Sequence, residues 1–197
     1  MELENNKNKV CIVRKDIADE DRGGISFYYK GIIKKLVDWG WDVTVVTQLP
    51  FTKTKARVIN VPVEADYNTN TKNVRKVLES IQVDIVEASN YKFELLDYLL
   101  CNHTRSDRPI TIVRSEPSGV TCMFGTEYIY GEQTQSELAD YNIAVSKFAA
   151  TDTEKQYNIK NDQVIYLGVD LDKLFTIKIR NILNQDTYWI NLAWNKK

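Results

Sequence analysis

Val10-Cys11-Ile12-Val13 is a short apolar run, and the charged loop that follows it ends in Arg22-Gly23-Gly24-Ile25. A helix is predicted from Gly24 to Trp39, because Ile25, Tyr28, Tyr29, Ile32, Leu36 and Trp39 recur at helical spacing. Gly40 is a natural stop for it. Paired glycines remove side chains and let a ligand approach the backbone closely. The helix start then offers unpaired N–H groups and a partial positive charge to an anion. Such a loop suits a phosphate or a sugar hydroxyl. Gly-Gly also makes ordinary turns, so the pair by itself leaves both readings open.

The same strand–loop–helix format returns along the chain. Val43 to Thr47 is rich in β-branched residues and reads as a strand. Another follows near Arg57 to Val61. Asp66 to Thr71 reads as a polar turn before a helix from Lys72 to Ile81. Asp84 to Ala88 is a strand, and Asn90 is placed to cap a helix from Lys92 to Cys101. Ile110 to Val113 is a buried-type strand. Ser115 to Gly131 reads as irregular, ahead of a helix from Glu132 to Leu138. Asn142 to Val145 is a strand, Ser146 caps a helix reaching about Gln156, and Gln163 to Tyr166 is a further strand. This alternation implies an α/β, Rossmann-like parallel sheet with helices on both faces. A helical segment from Lys178 to Gln185 and a strand from Tyr188 to Trp194 then break the pattern. The expected division is a domain over 1–175, with 176–197 as a linker and the first strand of a second domain that is absent or truncated.

Composition excludes several functions. The chain has 197 residues and a formal net charge of −1, which gives no electrostatic case for nucleic acid. Cys11, Cys101 and Cys122 are scattered and odd in number, which argues against a disulfide framework and suits a reducing cytoplasm. No cysteine pair has metal-ligand spacing, and neither metal nor cofactor is expected. Residues 1–9 are polar and lack the apolar core of a signal peptide. No apolar run approaches the roughly 20 residues that span a bilayer.

In parallel sheets of this kind, ligands sit beyond the carboxyl ends of the strands. That rule selects the loops Arg14 to Gly24, Ala88 to Tyr91, Arg114 to Gly119, and Ser146-Lys147. Asn90 and Ser146 each have an alternative role as helix caps. Arg114 beside Glu116 has the alternative of a structural ion pair. Lys147, in the first turn of a helix, opposes the helix dipole and so favours an anionic neighbour. Lys30, Lys34 and Lys35 on the first helix read either as a solvated face or as a peripheral membrane contact.

Five segments in register carry a family resemblance. They are Gly23-Gly24-Ile25, Trp39 to Thr47, Asp84 to Asn90, Ala144-Val145-Ser146-Lys147, and Gly168 to Phe175. Together they resemble the N-terminal half of family 4 glycosyltransferases, which have the GT-B fold. The resemblance implies transfer of a sugar from a nucleotide-sugar, with retention, to a glycan, lipid-linked or protein acceptor. It places Gly23 and Gly24 on the donor-phosphate side. Asn90, Tyr91, Arg114 and Glu116 fall on the acceptor or sugar side, and Ser146 and Lys147 at the cleft wall. Many members carry a histidine after the strand matching Ile110 to Val113, whereas Ser115-Glu116 stands here. The one histidine, His103, sits at a predicted helix end and reads as a surface residue. Glu79 and Glu87 share the spacing of the family's donor-domain glutamates but read as coincidence.

A retaining transfer must stabilise a departing nucleotide diphosphate, and the basic cluster for that is absent here. With the donor-binding domain also missing, the chain alone is expected to be inactive. A non-catalytic acceptor- or partner-binding module is the alternative, with an exposed apolar interdomain face that would favour oligomers. A nucleotide-sugar epimerase of the same architecture is a third reading. It is disfavoured because the single histidine lies off the cleft.

Overall fold

The computed structural model describes residues 8–20, 23–64 and 66–168. The segments expected at 178–185 and 188–194 lie outside the described residues. The strands are β1 (Lys9–Val13), β2 (Asp42–Thr47), β3 (Arg57–Asn60), β4 (Ile85–Ser89), β5 (Ile110–Ser115), β6 (Tyr141–Ala144) and β7 (Gln163–Val164). The helices are α1 (Gly24–Asp38), α2 (Tyr67–Ser80), α3 (Leu96–Asn102), α4 (Thr126–Leu138) and α5 (Lys147–Tyr157).

All strand pairings are parallel, in the order β3-β2-β1-β4-β5-β6-β7. The chain winds outward from β1 to β3, then crosses back to place β4 on the other side of β1. The order therefore reverses between β1 and β4, where such sheets open a crevice at their carboxyl ends. Alternation along the strands feeds two cores. Cys11, Val13, Val86 and Ala88 pack with α2 and α3 through Val74, Leu78, Leu95 and Leu99. Val10, Ile12, Val43 and Val45 pack with α1 through Tyr29 and Ile33. Each such buried aliphatic side chain contributes about 2 kcal/mol relative to exposure. Both faces are covered, which is why the strands read as continuous apolar runs rather than as alternating ones.

Several boundaries differ from the sequence expectation. Helix α2 begins at Tyr67, because Asp66 accepts hydrogen bonds from the N–H groups of Asn68 and Thr69. The supposed polar turn is the helix's first turn. Helix α4 begins at Thr126, inside the stretch expected to be irregular. Its inward face is polar: Glu132, Gln135 and Ser136 are all buried, so no apolar stripe announces it. Asn90 caps nothing; a short 3-10 turn at Tyr91–Phe93 follows it, and Lys92 within that turn has φ 64°. Ser146 does cap α5, its Oγ accepting from the Ala149 N–H at 3.1 Å. Gly40 closes α1 with φ 85°.

Candidate functional site at the strand-order reversal

The loop after β1 turns through Arg14, Lys15 and Asp16. Arg14 is almost fully buried, and its Nε and Nη2 donate to the two carboxylate oxygens of Asp16 at 2.7 and 3.1 Å. The guanidinium lies 5.3 Å from the Tyr91 ring centroid, a cation–π contact. Burial works against its charge, but the fields of Glu94, Asp16 and Glu116 hold the proton on more firmly than usual.

The loops after β4 and β5 are tied into one polar lattice. The Ser89 hydroxyl donates to Glu116 Oε1 at 2.7 Å and accepts from the Tyr91 N–H at 3.0 Å. The Glu116 N–H donates to Asn90 Oδ1 at 2.9 Å, and the Asn90 N–H donates to the Arg114 carbonyl at 2.9 Å. Asn90 Nδ2 is buried with no hydrogen-bond partner among the described residues. Burial raises the Glu116 carboxyl above its ordinary range, against the pull of Arg14.

Arg114 does not pair with Glu116. Its Nε donates to Glu87 Oε1 at 2.8 Å, and its guanidinium lies 5.1 Å from the Tyr28 ring centroid on α1. The ion pair anticipated within Arg114-Ser115-Glu116 is thus made across the sheet instead. Glu79 is engaged separately, accepting from Asn102 Nδ2 at 3.1 Å.

Between the carboxyl ends of β1 and β2 and the start of α2 lies a small hollow of about 20 Å³. Its polar lining includes Lys15, Gln48, Tyr67, Lys92 and Glu94, over a floor that includes Val13, Val46, Val61 and Val74. The Glu94 carboxylate accepts from the Lys15 N–H at 2.7 Å through Oε1. Burial pushes this carboxyl up to about 7, against the opposing field of Arg14. Burial, and then the adjacent Lys92 amine, hold the Lys15 amine down to about 8.

A second buried carboxyl, Glu132 on α4, braces the loop after β5. Its Oε2 accepts from the Gly119 N–H at 2.9 Å and the Tyr157 hydroxyl at 2.8 Å. Burial pushes it up to about 7. Asp152 holds the same loop, accepting from the Ser118 N–H at 2.7 Å and the Thr121 hydroxyl at 2.6 Å.

The structure gathers Asn90, Tyr91 and Glu116 about Arg14. It places Gly23 and Gly24 at the start of α1, where no side chain among the described residues caps the helix and its first turn carries no acid. Gly23 has φ 102°, which favours glycine, while a Cβ on Gly24 would meet nothing within 4 Å among the described residues. Ser146 is occupied by its cap, and Lys147 is exposed beside it. Met123 (87% exposed) and Phe148 (61%) leave apolar surface on the loop after β5 and on the first turn of α5. Lys34 donates to Asp38 at 2.6 Å and Lys30 to the Asp19 carbonyl at 3.3 Å, so two of the three α1 lysines make contacts within the chain. His103 is exposed at the end of α3. No metal-binding cluster exists among the described residues, and none of their helices is long and apolar enough to cross a membrane.

The sequence model of the family described as Glycosyltransferase Family 4 matches residues 22–173. The chain belongs to that family. This family 4 chain shares its fold with a solved glycosyltransferase from Rickettsia africae ESF-5, at 13% identity and a TM-score of 0.52, covering 92% of this chain and 51% of that one. It also resembles the UDP-GlcNAc 2-epimerase of Methanocaldococcus jannaschii, at 11% identity and a TM-score of 0.51, covering 81% and 45%. The chain thus spans about half the length of these structures. No curated protein matches it.

Sequence reasoning missed Lys15, Lys92, Glu94 and Glu132. Lys15 falls within a loop selected for its position, yet nothing in the sequence pairs it with Lys92. Helix α4 hid Glu132 by lacking an apolar period. Only the strand order brings these residues together.

Proposed function

We propose that this chain provides the acceptor side of a retaining glycosyl transfer from a nucleotide-sugar to a glycan, lipid-linked or protein acceptor. The family match over residues 22–173 carries the reading. The crevice between β1 and β4, with its buried charges and adjoining hollow, supports it as a ligand site. In this reading Asn90, Tyr91 and Glu116 border the acceptor or transferred sugar. Arg114 stiffens the end of β5 from the α1 side, and Ser146 and Lys147 form a wall of the cleft.

Gly23 and Gly24 face the donor phosphates. The uncapped start of α1 favours this, since its N–H groups and dipole attract an anion. The chain matches only about half of each solved neighbour, so the nucleotide is assigned to a further domain, and 1–175 to the acceptor domain. Free thiols at Cys11, Cys101 and Cys122 agree with work in a reducing cytoplasm.

The test is a thermal-shift titration with nucleoside diphosphates and nucleotide-sugars, run beside a transfer assay. Nucleotides are expected to move the melting temperature of this chain little. Transfer is expected only with a nucleotide-binding domain present. Nucleotide stabilisation with turnover by the chain alone would overturn the division of labour. Absence of transfer with such a domain supplied would favour a non-catalytic binding module.

A further inference from the structure

Lys15 and Lys92 bring two amines together at the mouth of the hollow beside Glu94. Both amines lie beside the Tyr67 ring, each bears on the other's proton, and Lys92 also engages the Tyr67 side chain. Lys15 Nζ lies 5.4 Å and Lys92 Nζ 5.5 Å from the Tyr67 ring centroid, and Lys92 Nζ lies 5.1 Å from that of Tyr91. No carboxylate makes a salt bridge to either amine among the described residues. Two like charges held in one place, with aromatic faces as their neighbours, form an incomplete arrangement that an anion would complete.

A second observation defines the rest of the ligand. Glu94 is 6% exposed and lines the same hollow, yet its Oε2 has no hydrogen-bond partner among the described residues. A buried carboxylate oxygen left unmade is costly, and a ligand hydroxyl would satisfy it. A bare carboxylate offers none. The hollow itself is small, about 20 Å³, which is room for one water-sized group. It suits a single hydroxyl reaching in from a ligand seated at its mouth.

Lys92 adds a third indication. Its φ of 64° and ψ of 16° lie in the left-handed region, where a glycine would sit without strain. The backbone there has no need of a lysine.

We propose that the mouth of the hollow binds a hydroxylated anion, with a phosphate or carboxylate held between Lys15 and Lys92 and one ring hydroxyl reaching in to donate to Glu94. The inference rests on the acceptor-side reading and narrows it: the acceptor terminus is a phosphorylated or acidic sugar.

Binding to the purified chain is measured by calorimetry for glucose 6-phosphate, galactose 1-phosphate and glucuronic acid, each against its neutral parent sugar, and for inorganic phosphate. At least one charged sugar is expected to bind tenfold or more tightly than its parent and than inorganic phosphate. The advantage should fall to less than threefold in Lys15→Met and Lys92→Gly, and persist in Lys15→Arg. Lys92→Gly suits the left-handed backbone, so it should keep its fold, checked by melting temperature. Preference for the phosphates alone identifies the group as phosphate; preference shared by glucuronic acid extends it to carboxylates. Equal binding of charged and neutral sugars, or no binding by any charged sugar, overturns the proposal. Neutral sugars that bind and accept transfer would leave the acceptor-side reading standing while this one falls. Charged sugars that bind at the mouth of the hollow but never accept transfer would do the reverse.

Discussion

The Asn90 side chain accepts a hydrogen bond from the Glu116 N–H at 2.9 Å, joining the loop after β4 to the loop after β5. Both residues are buried, so the bond has no ready substitute in water. Asn90→Ala leaves the Glu116 N–H unsatisfied, at a cost of about 1–3 kcal/mol. The specific readout is amide hydrogen exchange. Exchange at Glu116 should accelerate far more than at the centre of β5. If Glu116 stayed as protected as in the parent, this bond would not be what fixes the loop.

Two glycines should respond in opposite ways. A Cβ at Gly119 would meet Glu132 Oε2 at 3.1 Å and the Tyr157 hydroxyl at 3.3 Å, in a buried network. Gly119→Ala is expected to lose about 1–3 kcal/mol, the usual cost of overpacking. Gly24 opens α1 with nothing among the described residues within 4 Å of its Cβ position. Gly24→Ala should therefore fold as well as the parent or slightly better, since alanine has the higher helix propensity. Urea denaturation separates the two cases. Equal loss in both would mean the open approach at Gly24 is filled.

Glu87 and Arg114 form a largely buried pair, with side chains 13% and 5% exposed. Glu87→Met strands the guanidinium and should cost about 3–5 kcal/mol. Replacing both residues with methionine should recover most of that loss, because two charges are then removed together. A double-mutant cycle by chemical denaturation measures the coupling. Additive losses would show that the two residues act independently.

Acid–base linkage makes a further prediction. Glu94 and Glu132 are both pushed up to about 7 by burial. A carboxyl raised in the folded state binds its proton more tightly than in the unfolded chain. Its contribution is complete below the ordinary carboxylate pKa, near 4.5, and is lost as pH rises through about 7. Each group should remove roughly 1 kcal/mol per pH unit across that window. Glu94→Gln and Glu132→Gln should each flatten the decline when urea midpoints are compared from pH 4.5 to 8. Superimposable pH curves for parent and variants would refute this assignment.

The fold was legible because its strands are β-branched runs, such as Val43 to Val46, buried on both faces. Caps and stops were legible where one residue does the work locally, as at Ser146 and Gly40. Asp66 was misread as part of a turn, although aspartate before a polar helix start is a cap in its own right. Helix α4 was half missed because its inward face carries Glu132 and Gln135 in place of aliphatic residues. Gln135 donates to the Ser89 carbonyl at 3.1 Å and accepts from the Leu95 N–H at 2.7 Å, work that leaves no periodic signature. The candidate loops were legible from the carboxyl-end rule. Their pairings were not, because Arg114 chooses Glu87 over the adjacent Glu116 only once β4 lies beside β5.

The strand order has a kinetic consequence. Lys15 follows β1, Glu94 follows β4, and the two meet only because β4 pairs with β1 across the intervening β2, β3 and α2. Contacts so distant in sequence form late, after the loop-closure entropy of the crossover has been met. A chain arrested after its first hairpin-sized units could hold native helices and still have no crevice. Ligand capture at this edge is therefore a clock for completed topology: it should appear in refolding together with the last cooperative phase, and no earlier.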